Sequence, residues 1–148
     1  MPKKTRRTRR QKPRKAYSLK RRPMNKMRVV HTFLTMLHTI KLYHWKTHSY
    51  AEHKATDELY DKLNGHIDRF IEVWIGKDRA RIPAIPNDTY VIHHANSNGQ
   101  MREKIHQFNR FLMDMERQFP SSFNSDLLNI RDEILADMNQ FLYLLTFR

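Results

Sequence analysis

The chain has 148 residues, enough for one domain with one core, and a formal net charge of +13. It has no cysteine and only 3 glycines. This excludes disulfides, thiolate zinc sites and iron–sulfur clusters, and it favours long helices over a turn-rich β fold.

No apolar run approaches the roughly 20 residues that span a bilayer. The N-terminus offers no apolar stretch for a secretory signal, so the expectation is a reducing compartment, no membrane and no secretion.

The charge is unevenly placed. Residues 1–22 hold 12 basic side chains (Lys3, Lys4, Arg6, Arg7, Arg9, Arg10, Lys12, Arg14, Lys15, Lys20, Arg21 and Arg22) and no acid. The other 126 residues hold 16 basic and 15 acidic side chains, a near balance. Self-repulsion and low hydrophobicity predict that residues 1–23 form a disordered basic tail, with the folded domain over residues 24–148. A tail of this kind neutralises phosphates and releases counterions, which points to salt-dependent, sequence-blind nucleic-acid binding. A nuclear-import signal, an anionic protein partner or a purely solubilising tail would have the same composition.

Four helical patterns follow. The first runs from about Met24 to Thr47, with Val30, Phe33, Leu34, Leu37 and Ile40 as its stripe. The second runs from about Tyr50 to Ile75, with Leu59, Leu63, Ile67, Phe70 and Trp74. The third runs from about Asn98 to Phe119; its Met101, Ile105, Phe108, Leu112, Met115 and Phe119 recur at alternating 4 and 3, as in a packed seam. Pro120-Ser121-Ser122 breaks it. The fourth runs from about Asn124 to Phe147, with Leu127, Ile134, Met138, Phe141 and Leu145. All these stripes read as core.

Short turns join the first helix to the second and the third to the fourth. About 22 residues, Gly76 to Ser97, separate the second from the third and include Pro83 and Pro86. That is long enough to run the length of a bundle. The fold expected is therefore all-α: a ferritin-like four-helix bundle with one long crossover between helices 2 and 3.

The second helix carries the chemistry. At about 100° per residue, with Asp57 at 0°, His53 falls near about −40°, Asp68 near about 20°, Asp61 near about 40° and Glu72 near about 60°. Glu58, Lys62 and Arg69 fall in a different sector, which reads as a solvated face. Tyr60, Ile71 and Ile75 border the His/acid sector, which suggests that something covers it. His and carboxylates together suit iron, manganese or zinc, but a salt-bridged face near Lys54 and Arg69 would have the same residues. His53/Asp57 and Asp68/Glu72 are two i,i+4 pairs 11 residues apart, or roughly 16 Å along a helix. They cannot hold one ion within a chain. A second copy of the helix, antiparallel across a two-fold axis, would bring His53/Asp57 of one chain to Asp68/Glu72 of the other.

His31, His38, His66 and His106 read as satisfied or surface histidines, Asp61 as a neighbour, and His93-His94 as a weak loop pair. Nothing supports nucleophilic catalysis, a phosphate-binding loop or a helix-turn-helix reader.

Leu42-Tyr43-His44-Trp45, then His53-x3-Asp57, then Asp68-x3-Glu72 resembles the ferroxidase motif of the DNA-binding proteins from starved cells, the Dps branch of the ferritin-like superfamily. The spacing within the second helix matches that family without gaps. Asp126 to Phe147 also resembles the family's last helix. The resemblance implies that His44, His53 and Asp57 bind metal from one subunit and that Asp68 and Glu72 come from the two-fold partner. Trp45 would sit beside the site.

It also implies Fe(II) oxidation, often with peroxide, iron storage in a hollow homo-oligomer (a dodecameric cage in the family) and protection from oxidative stress. A basic tail for DNA occurs in some members. Short members occur in large DNA viruses and phages, which implies a viral protein in the cytoplasm or nucleus of a host cell, or in the virion. The segment from His44 to His53 is about three residues shorter than in the family, so His48, inside the turn, is an alternative to His44. A second function class carries the same fold: a nucleic-acid-packaging or virion structural protein without ferroxidase activity.

Overall fold

The computed structural model describes residues 26–83 and 92–147. The basic segment and its twelve Lys/Arg residues lie outside the described residues. Four helices account for almost all of the rest: α1 (Lys26–Lys46), α2 (Tyr50–Asp78), α3 (Asn98–Met115) and α4 (Ser121–Leu144). Among the described residues there is no strand.

Local chemistry sets the helix ends. Ser49 sits at the N-cap of α2 in an extended conformation, and its side chain accepts from the backbone N–H of Glu52. Ser97 caps α3 in the same way, accepting from Gln100 N–H. α2 ends where Arg79 turns left-handed (φ 54°, ψ 20°) and donates its N–H to the Ile75 carbonyl. A non-glycine residue in that conformation costs about 1–2 kcal/mol.

α2 runs through Gly76 to Asp78, three residues beyond the boundary expected from the apolar pattern. α3 stops at Met115, and Phe119 packs into the core from the turn that follows. α4 begins at Ser121, straight after Pro120, with a break in helical geometry at Asn124 (φ −134°, ψ 27°). The expected start at Asn124 is therefore the kink rather than the end.

α2 packs against α1 on one side and α4 on the other, and α4 also packs against α3. Each of these pairs is antiparallel. Tyr43 meets Glu52 at one end of the α1–α2 pair, Phe33 meets Phe70 farther along, and Lys26 meets Asp78 at the other end. Lys62 and Lys77 on α2 reach Asp137 and Asp126 on α4. Arg131 on α4 donates to the Leu112 carbonyl on α3, and Asn98 donates to the Leu145 carbonyl. Asn98 also donates to Glu52, so α2 and α3 begin at the same end of the bundle.

The core is one continuous cluster that includes Phe33, Ile40, Leu63, Phe70, Leu112 and Ile134. Full burial of such a side chain contributes about 1.5–3 kcal/mol. Phe70 makes edge-on contacts with Phe33, Trp74 and Phe119, which joins α1, α2 and the α3–α4 turn.

One expectation is corrected. On α1 the buried stripe is Val29, Phe33, Met36, Leu37, Ile40 and Tyr43, while Val30 and Leu34 are only half-buried. On α2, Glu58, Lys62 and Arg69 are exposed, as expected of a solvated face, and from it Lys62 pairs with Asp137 and Arg69 with Glu133 on α4. His66 lies between them, with Nδ1 3.3 Å from Glu133 and Nε2 3.2 Å from Asp137.

Candidate metal centre

The short turn Thr47–Ser49 folds the end of α1 back on the start of α2. This brings His44, His53 and Asp57 together. His44 is buried, at 7% exposure, and its ring stacks on His53 with centroids 3.8 Å apart. His44 Nδ1 lies 3.0 Å from the His53 carbonyl and 3.2 Å from Thr56 Oγ1. His53 Nδ1 lies 3.1 Å from the His44 carbonyl.

A carbonyl oxygen only accepts, so each Nδ1 carries a proton. In the neutral ring each Nε2 then keeps a lone pair. This is the arrangement of metal-binding histidines, whose other nitrogen is fixed by a backbone carbonyl or carboxylate. His44 Nε2 faces Asp57 Oδ1 at 3.8 Å. His48 is exposed in the turn and does not enter this cluster in place of His44.

A cation already stands at the same carboxylate. Lys41 Nζ lies 3.8 Å from Asp57 Oδ1 and 4.6 Å from the centre of the Tyr60 ring. It is also 6.0 Å from the Trp45 ring, which is itself 68% exposed. Lys41 is not singled out by the metal-ligand spacing, although it lies three residues before His44 and so on the same face of α1.

Asp68 and Glu72 are exposed farther along α2. Glu72 borders an open groove with Ile75, Gly76, Arg79 and Arg81. Among the described residues, no set of three or more His, Asp or Glu side chains closes around one point within the chain. Tyr60, Ile71 and Ile75 beside the sector are half-buried.

Glu52, which the spacing argument passes over, anchors the cluster from behind. Its carboxylate accepts from Tyr43 Oη and Thr47 Oγ1, each at 2.6 Å, and from Asn98 Nδ2 at 2.8 Å. Burial pushes the Glu52 carboxyl up, but the hydrogen bonds from Asn98, Thr47 and Tyr43 together hold it below its usual range. The Tyr43 hydroxyl is pushed well up, first by burial and then by Glu52. Ser49-x-x-Glu52 is the sequence signature of a capping box, which marks this position. Here the Glu52 side chain leaves the cap and ties α1, α2 and α3 together.

His93, in the segment before α3, is pushed down by burial and by Lys104, His31 and His94 nearby. It stands apart from the α1–α2 cluster, and His94 is exposed.

The fold and this cluster define an all-α four-helix protein with a histidine–carboxylate set at its α1–α2 turn. A family model described as a family of unknown function (DUF5856) matches residues 44–145, and the chain belongs to that family. No curated protein and no solved structure matches the chain.

Proposed function

We propose that this chain is a Dps-like, ferritin-like protein that takes Fe(II) as substrate, oxidises it, with peroxide as the oxidant, and binds DNA through its basic N-terminal tail. The observation that carries this reading is the mutual anchoring of His44 and His53. Each Nδ1 is held by the other residue's carbonyl, which leaves Nε2 as the ligand atom, with Asp57 beside His44.

The helix order supports the ferritin-like topology. α2 and α3 start at the same end, and α2 is 29 residues long, about 43 Å at about 1.5 Å per residue. The residues from 79 to 97 can extend to roughly 60 Å, enough to cross back along the bundle.

The complete site needs a second copy. Asp68 and Glu72 of a two-fold partner would supply the carboxylates that His44, His53 and Asp57 lack in one chain, and a closed cage, dodecameric in the family, would store the product. In the reaction each Fe(II) gives up one electron and each peroxide takes two, with its O–O bond broken. The protein's part is to hold Fe(II) on Nε2 and carboxylate atoms and to keep Trp45 close by. The exposed position of Trp45 suits a residue that intercepts stray oxidant at a subunit contact.

Lys41 favours a second reading. Its ammonium group already neutralises Asp57, and that suits a packaging or virion structural protein that keeps the ferritin-like fold without ferroxidase activity.

Anaerobic Fe(II) loading followed by peroxide separates the two. Ferric absorbance should grow in the parent and fail to grow in a His53→Ala/Asp57→Ala variant of the same oligomeric mass. Equal behaviour of parent and variant would overturn the ferroxidase reading.

A further inference from the structure

The end of the bundle where α1 begins carries exposed arginines beside the basic N-terminal segment. Lys26, the first residue of α1, is where residues 1–25 join the helices. Its Nζ is fixed against the end of α2, 2.6 Å from Asp78 and 2.8 Å from the Ala80 carbonyl, and it lies over the Trp74 ring at 5.1 Å. The attachment point of the twelve-cation segment is therefore pinned to the loop that carries Arg79 and Arg81.

Lys26 and Lys77 spend their charge internally, on Asp78 and Asp126. Arg79, Arg81 and Arg28 do not. All three are exposed, and none has an ion-pair partner among the described residues. Arg79 holds its left-handed conformation at the helix terminus despite the strain. Arg79 and Arg81 line one open groove, two guanidinium groups to the single carboxylate of Glu72.

We infer that this end of the bundle is a phosphate-backbone surface for duplex DNA, with Arg79 and Arg81 gripping phosphates next to the point where the tail departs. The inference rests on the tail's role in binding nucleic acid. Arg suits the task because its planar fork pairs with phosphate oxygens two at a time. The folded surface adds contacts of fixed geometry to those of the tail, and both are blind to base sequence. Phosphate contacts of this kind release counterions, so each lowers the steepness of the salt dependence by about 0.9 when removed.

The test is binding of the full chain to a labelled DNA duplex across a salt series. Arg79→Gln/Arg81→Gln should reduce the slope of log affinity against log salt by roughly two, and affinity at moderate salt on the order of ten-fold. Arg79→Lys/Arg81→Lys should recover most of it, which a folding defect would not allow. Lys54→Gln/Lys104→Gln removes the same charge from the other end of the bundle and should leave the slope unchanged. Equal losses in the two Gln pairs would show that only net charge matters and would overturn the proposal. No loss in the Arg79/Arg81 pair would also overturn it. If deletion of residues 2–22 abolishes binding in that case, the tail's role still stands. A full chain that binds no duplex at any salt would remove both.

Discussion

His44 and His53 stack ring on ring, and each Nδ1 lies within hydrogen-bond reach of the other's backbone carbonyl. The pair closes the turn between α1 and α2 and fixes both rings. It is also where the family match begins, at His44.

Lys41 should act as a competitor at this site. Its contact with Asp57 is long and partly exposed, with the two side chains 29% and 45% exposed, so the pairing contributes at most about 1 kcal/mol. Lys41→Met should therefore tighten Co(II) or Fe(II) binding by up to about five-fold. Titration of the protein by calorimetry or by Co(II) absorbance checks this. Unchanged or weaker affinity would show that Lys41 does not contend for Asp57.

Glu52 predicts an acid limit to stability. Its folded-state carboxyl lies below the ordinary value of 4.5, so the folded chain binds fewer protons there than the unfolded chain. The stabilisation is fully present above that ordinary value and is lost as pH falls through the lowered folded value. Glu52→Gln should lower stability near neutral pH by about 1.5–3 kcal/mol, the range for hydrogen bonds to a charged group. It should also flatten the pH dependence between about pH 5 and 3. Urea midpoints at several pH values measure both. A variant whose stability still falls as steeply in acid would assign the acid limit to other groups.

Phe70 is fully buried at the junction of three elements. Phe70→Ala should cost about 3–5 kcal/mol and lower the melting temperature accordingly. Phe123, 80% exposed, offers the contrast. Phe123→Ala should change stability by no more than about 0.5 kcal/mol.

The tail and the assembly have direct tests. Deleting residues 2–22 removes 12 cationic side chains at a stroke and should abolish retardation of DNA at moderate salt. The body should keep its helical signal. Sizing of the intact protein should give an oligomer built from dimers. A monomer would leave His44, His53 and Asp57 without Asp68 and Glu72 of a partner, and the shared-site proposal would fail.

Much of the architecture follows from the order of residues alone. The alternating 4 and 3 spacing of Met101, Ile105, Phe108, Leu112, Met115 and Phe119 defines one face, and all six are buried. The same holds for Leu127, Ile134, Met138, Phe141 and Leu145 on α4. Such stripes are local: the apolar residues recur at helical spacing, so they fall on one face that can turn inward.

Where two apolar residues are adjacent, periodicity cannot choose between faces. Val29-Val30 and Phe33-Leu34 are such pairs, and docking of α1 on α2 chose Val29 and Phe33. Charge is equally undecided locally. Lys62 and Arg69 lie on the exposed face expected of them, and only the docking of α4 sets Asp137 and Glu133 within their reach.

The His/carboxylate set shows the same division. The spacing of His53, Asp57, Asp68 and Glu72 puts them on one sector of α2 and forbids a single-chain site, because helix rise alone separates the pairs. Only tertiary structure brings His44, rather than His48, onto His53, and only it sets Lys41 against Asp57 and Glu52 behind Tyr43. Those contacts depend on how tightly the turn at Thr47–Ser49 folds α1 onto α2, a property of two packed helices together and of neither sequence stretch by itself.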